Sequence, residues 1–192
     1  MLLSQTMKYQ LSIYGHPVLR QPASPVRVVD RAIRVLAEEM LEIMVAKNGV
    51  GLAAQQIGRT EQICTLGFDP QYDVAAPGGP RLNPGIALPL TMINPSILMR
   101  TGSQTDTEGC LSIPEIWAPV SRAWEVSVSF INLQGVPQVL RVRGFLARII
   151  QHELDHLHGI LFVDRLAPVK KISLARQLKR LRKTSMATLS AS

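Results

Sequence analysis

Apolar positions between Ile33 and Met44 recur at three- and four-residue spacing (Ile33, Leu36, Met40, Ile43, Met44), which predicts an amphipathic helix. Asp30 stands where an N-cap belongs and Asn48-Gly49 supplies a stop, so this helix runs about four turns. A second helical pattern covers 145 to 158, where Phe145, Ile149, His152 and His156 form one stripe and Ile150, Leu154 and Leu157 another. A helix that is apolar on two sides belongs in the interior. β-like runs occupy 62 to 68, Met92-Ile93, Glu125 to Leu133 and Val136 to Val142, the last two joined by a turn near Gln134-Gly135. Tyr14 to Pro22 carries turn residues and prolines and reads as extended or looped, and 69 to 90, with five prolines and three glycines, reads as an irregular insertion. Pro168 suits the first position of a terminal helix, with Val169, Ile172, Ala175 and Leu178 as its apolar stripe. This order of elements predicts an α+β fold with mixed or antiparallel sheets, divided into a body over 1–167 and a basic helix or tail over 168–192.

Composition narrows the class. A chain of 192 residues with 46% hydrophobic and 18% charged positions supports one buried core and is cramped for two. It holds no run near the ~18 apolar residues of a spanning helix, and MLLSQTMKYQ lacks a long apolar stretch and a small-residue cleavage site. A soluble, unsecreted protein without membrane contact is expected. Two cysteines are too few for a disulfide framework, which fits a reducing compartment, and Cys64 reads as a buried, inert thiol in a strand. The net charge of +7 resides in the tail: seven lysines and arginines and no acids follow Pro168, leaving 14 bases against 14 acids before it. Such a tail suits contact with a polyanion, while the neutral body serves another purpose.

Gln151-His152-Glu153-Leu154-Asp155-His156 carries the strongest chemical signal. Residues four apart on a helix share a face, so His152 and His156 can grip one ion while Glu153 flanks them, the HExxH arrangement. Asp155 reads as an orienting carboxylate, and His158, two positions further round the helix, as an exposed residue near its end. A catalytic centre of this kind takes three protein ligands and one open position. A metzincin protease would place its third histidine where this chain has Phe162, and a thermolysin-like protease needs a downstream glutamate, which is absent after Glu153. The third ligand is therefore expected upstream, at Cys110 in Glu108-Gly109-Cys110-Leu111-Ser112-Ile113-Pro114. Gly49-Val50-Gly51-Leu52-Ala53-Ala54-Gln55-Gln56 lacks the Lys-Ser or Lys-Thr of a phosphate loop and reads as backbone open to a ligand, with Gln56 offering an amide.

GVGLAAQQ, EGCLSIP and QHELDH, in this order and at these separations, resemble the three signature segments of the peptide deformylase family, over about residues 8 to 167. The resemblance implies an α+β fold around a central metal-binding helix and removal of the formyl group from N-terminal formyl-methionine of nascent polypeptides. It implies one divalent ion per chain, Fe²⁺ or else Zn²⁺, held by Cys110, His152 and His156. Glu153 is then the general acid/base, with Gln56 and the Leu111 N–H around the oxyanion. Recognition of methionine needs an apolar pocket beside the metal, for which Val50, Phe145 and Ile149 are the expected contacts; Phe145 and Ile149 equally suit a core role. Main-chain groups near Val50, Gly51 and Gly109 are placed to pair with the substrate as an added strand. The resemblance further implies a bacterial-type cytoplasmic or organellar location and a ribosome contact through the basic tail. Two features depart from the family pattern: the long 69–90 stretch, and Trp117 where many relatives carry a polar or basic residue. A non-catalytic RNA-binding module, the remaining reading, leaves the HExxH and EGC segments unexplained.

Overall fold

Asp30 accepts a hydrogen bond from Ile33 N at 2.9 Å and starts α1, Arg31–Ala46, which ends as Gly49 N donates to Met44 O. The cap and stop are those the sequence predicts. The computed structural model describes residues 9–190. The first eight residues of the MLLSQTMKYQ segment lie outside that range, and so does the reading made of them.

Past α1 come β1 (Gly51–Ala53), β2 (Ile63–Leu66) and β3 (Leu90–Thr101), then β4 (Gln104–Cys110), β5 (Ile113–Arg122), β6 (Glu125–Ile131) and β7 (Pro137–Arg143). Two long helices follow, α2 (Gly144–Leu157) and α3 (Pro168–Ser190). One sheet has the order β1-β2-β3-β6-β7, and β4 and β5 form a second sheet of two strands. Every ladder is antiparallel, so the antiparallel alternative holds over the mixed one; the parallel pairing is an isolated bridge, Ser24 to Glu61. α2 lays Leu146, Ala147, Ile150 and Leu154 against Met92, Val126, Val128 and Val142. α1 packs Leu36, Met40, Ile43 and Met44 with Leu52, Ile63 and Ile93. A third cluster joins Ile116, Ala118 and Val120 of β5 to Leu19, Phe162 and, from α3, Leu174 and Leu178. No helix among the described residues is long and apolar enough to cross a membrane.

Four segments differ from the sequence reading. The β4–β5 hairpin was not foreseen, because Gln104 to Gly109 is polar throughout and Pro114 and Pro119 interrupt the alternation of β5. The Gly49–Gln56 stretch is not an open loop: β1 and the 3-10 turn Ala54–Ile57 are entirely buried. Tyr14 to Pro22 contains a short 3-10 turn, Pro17–Arg20, capped by His16. On α3 the buried face is Leu174, Leu178 and, in part, Leu181, whereas Val169 and Ile172 are 81% and 75% exposed. The helix docks through Leu174 and Leu178, so the predicted stripe holds at Leu178 and fails at Val169, Ile172 and Ala175, which are exposed. The 69–90 insertion is irregular as predicted, yet tied down: buried Asp73 accepts from Asn83 N (3.0 Å) and Arg81 Nε (3.2 Å), and Asn83 exchanges hydrogen bonds with the backbone of Arg143.

Candidate metal centre

β4 ends at Cys110, and α2 presents His152 and His156 one turn apart opposite it. The Cys110 Sγ and one nitrogen from each imidazole lie within 4.8 Å of one another, with Sγ 3.2 Å from His156 Nε2. His152 Nδ1 is 3.0 Å from Glu108 Oε2, an oxygen that can only accept, so Nδ1 carries the proton and Nε2 is left for an ion.

Glu108 is buried, and it is surrounded by donors: Arg122 Nε at 2.8 Å and Nη2 at 2.9 Å, and Arg148 Nη1 at 2.6 Å. Burial pushes its carboxyl up, but the Arg122 and His152 contacts outweigh that and hold it far below the usual carboxylate range. Arg122 Nη1 continues to Asp155 at 2.6 Å, which also binds Arg165. The residue that orients His152 is thus Glu108, and Asp155 orients the arginines behind it. Glu108, Arg122 and Arg148 received no role in the sequence reading. A signal existed in the spacing of Glu108 and Cys110 two residues apart in a strand, although a bulge intervenes.

Glu153 lies beneath β1, and a Cβ on Gly51 would stand 2.2 Å from its Oε1, so only glycine admits this packing. Its Oε2 is buried without a hydrogen-bond partner among the described residues. Burial pushes the Glu153 carboxyl up to about 7, where it can both take and give a proton near neutral pH. Gln56 is fixed by its Oε1 accepting from Ala53 N at 2.8 Å, which turns Nε2 towards Cys110 Sγ and Ser112 Oγ, each at 3.4 Å.

A cleft of about 460 Å³ opens on this group, and its walls include Val50, Gly51, Gln56, Gly109, Cys110, Leu111, Phe145, Ile149, His152 and Glu153. Every sequence-predicted site residue except His156 is on that wall, and His156 stands directly behind Cys110. Ile149 is also part of the core against β6 and β7, and Phe145 meets Phe68 edge-to-face at 5.0 Å, so both residues face the cleft and the core at once. Trp117 is 64% exposed and rests on Gly109, where a Cβ would come within 2.5 Å of its ring.

The donor set suits a divalent cation. Cys110 Sγ and one nitrogen of each imidazole converge, and beside them Glu153 Oε2 and His156 Nδ1 are buried without a hydrogen-bond partner among the described residues. Burial disfavours a proton on His152, yet its contacts with Cys110 and Glu108 push its pKa up to about 10, so this position favours positive charge, which a bound cation would supply. Burial holds His156 neutral, as a ligand must be.

Fold and donor set together define a class: an α+β protein in which a thiol and two imidazoles cluster within reach of one cation, beside a buried carboxylate. The chain belongs to the polypeptide deformylase family, whose profile matches residues 8–172. It is 38% identical to the peptide deformylase of Nitrosococcus oceani over 90% of this chain and 95% of that one, and 42% identical to that of a Picosynechococcus species over 91% and 86%. Among solved structures, a plant peptide deformylase superposes with a TM-score of 0.82 at 28% identity, covering 98% of this chain and 96% of that one. The Synechococcus elongatus peptide deformylase gives 0.76 at 37% identity, covering 90% and 89%. The family's activity is metal-dependent removal of the formyl group from the N-terminus of polypeptides, and this enzyme is a hydrolase acting in protein biosynthesis.

Proposed function

We propose that Cys110, His152 and His156 hold the ion and that Glu153 is the general acid/base of deformylation. The observation that carries this reading is the buried, unpartnered Glu153 carboxylate beside the three convergent donors. The ion, when bound, supplies Lewis acidity and a water of lowered pKa. Glu153 takes the proton of the attacking water and returns it to the leaving amine as formate departs. Gln56 Nε2 and the Leu111 N–H donate to the oxygen on which negative charge develops, each contributing about 3 kcal/mol when well placed. Glu108 keeps the Nδ1 proton on His152 and so fixes the ring.

Val50, Phe145 and Ile149 accommodate the methionine side chain, and main-chain groups at Val50, Gly51 and Gly109 pair with the substrate backbone. Trp117 adds an aromatic wall for residues beyond methionine. Fe²⁺ is the expected ion, since thiolate with imidazole suits ferrous iron as well as zinc. Anaerobic purification and elemental analysis test that choice. Residues 1–167 form the catalytic body, and α3 is an appendage whose exposed Arg176, Lys179, Arg180, Arg182 and Lys183 meet the ribosome in a cytoplasmic setting. Ribosome association should fall with salt and disappear on truncation at 168.

Purified enzyme should release formate from formyl-methionyl peptides and leave unformylated peptides intact. Glu153→Gln should lower kcat by about 10² to 10⁴ with metal content unchanged. Retained activity in that variant removes Glu153 from the reaction, and internal peptide cleavage without formate points to a protease instead.

A further inference from the structure

α2 borders a second cavity, also of about 460 Å³, on a face that the catalytic cleft does not use: Gln151, Leu154 and Asp155 line it from the helix, and His158 from the C-cap position. Arg100 of β3, Arg122 at the end of β5 and Arg165 complete its charged wall. Three guanidinium groups thus face one carboxylate. Asp155 is already committed, its Oδ1 accepting from Arg165 Nη2 at 2.6 Å and its Oδ2 from Arg122 Nη1 at 2.6 Å and Arg165 Nε at 3.1 Å. All three Arg122 nitrogens are used, two on Glu108 and one on Asp155. The donors left open are Arg165 Nη1 and the whole Arg100 guanidinium, which has no side-chain partner among the described residues. His158 donates Nδ1–H to Leu154 O at 2.6 Å, leaving Nε2 as its second polar atom.

Charge counting over the cavity wall gives the same direction. Arg100, Arg122 and Arg165 stand against Asp155, an excess of two positive charges along the wall. We infer that this rear cavity is a binding site for a small divalent oxyanion of the phosphate class, held by Arg100 and Arg165. A guanidinium fork matches tetrahedral oxyanions in shape, and a dianion cancels the excess where a monoanion leaves half of it. The apolar part of the wall, Ile97, Leu154 and Ile160, makes room for a small carbon group and extends the class to phosphomonoesters. Because Arg122 lines this cavity and also grips Glu108, the site lies one ion pair removed from the residue that orients His152. The inference does not depend on the roles proposed for the catalytic residues.

The test is titration of the full-length, metal-loaded enzyme with inorganic phosphate, followed by thermal midpoint, against sodium chloride and sodium formate at equal ionic strength. Phosphate should raise the midpoint saturably, with formate at least about tenfold weaker. Arg100→Glu, a substitution at an exposed strand position, should weaken phosphate at least about tenfold while deformylation of formyl-methionyl peptide is unchanged. The paired substitution Lys179→Glu with Arg180→Glu on α3 should leave the phosphate effect intact. A midpoint that responds to phosphate no more than to chloride overturns the inference. So does a response that survives Arg100→Glu, which places the anion at the catalytic ion, or one abolished by the α3 pair, which places it on the tail.

Discussion

The two flanks of α2 are built by opposite means. Towards the five-stranded sheet, Leu146, Ala147, Ile150 and Leu154 pack in an apolar cluster with Met92, Val126, Val128 and Val142. Towards the β4–β5 hairpin, Arg148 and Asp155 enter an ionic cluster with Glu108, Arg122 and Arg165 in which every charge has a partner. Apolar packing is non-directional and tolerates repacking, so it fixes where the helix lies. Charge pairs with defined donors fix an angle, and the imidazole of His152 requires one. Placement of the HExxH turn thus rests on the first flank and the orientation of the His152 ring on the second.

Removing Glu108 should separate the two flanks most sharply. Glu108→Gln leaves Arg122 and Arg148 buried beside a neutral amide, for an expected loss of about 3 to 5 kcal/mol in urea unfolding. Metal affinity should fall about 10- to 100-fold with it, measured by competition with a chelator. On the other flank, Ile150→Ala should cost about 2 to 5 kcal/mol through the cavity it creates, yet the surviving protein should hold its metal normally. Loss of metal affinity in Ile150→Ala, or its retention in Glu108→Gln, breaks the division of labour drawn above.

Gly51→Ala probes the seam between β1 and α2. Its methyl collides with Glu153 Oε1, so we expect about 1 to 3 kcal/mol of destabilisation, a lower kcat and unchanged metal content. The smallest effect belongs to the half-exposed Asp164. Burial raises its carboxyl, but Arg20 and the Leu161 N–H lower it further, so its folded pKa lies below the unfolded value. Its contribution is therefore fully present above the unfolded pKa and is lost as pH falls through the folded one. Asp164→Asn should remove that acid-side decline, an effect of no more than about 1 kcal/mol because solvent screens the pair.

Much of the molecule is legible without coordinates. α1 announces itself through Asp30 and a stripe whose Leu36, Met40, Ile43 and Met44 are all buried. The HExxH spacing puts His152 and His156 on one helical face wherever the helix lies, and the lack of a downstream ligand points to Cys110. The docking side of α3 was legible only in part: Leu178 of the predicted stripe is buried, but Val169 and Ile172 are exposed, and Leu174, outside that stripe, joins Leu178 in the cluster with β5. Periodicity identifies a stripe, and a partner surface decides which stripe is used.

The sequence by itself determined the elements with regular apolar periods and the shared helical face of His152 and His156, because both follow from spacing along one chain segment. Only the tertiary structure decided how Glu108 and Arg122 govern His152, and that β4 and β5 exist as a sheet at all. β4 exposes Thr105, Asp106 and Thr107 and buries the charged Glu108 in the ionic cluster, so no apolar period marks it. Its strand character comes from pairing with β5 and from arginines far away in the chain, and pairwise electrostatics across such separations leaves no local pattern to read.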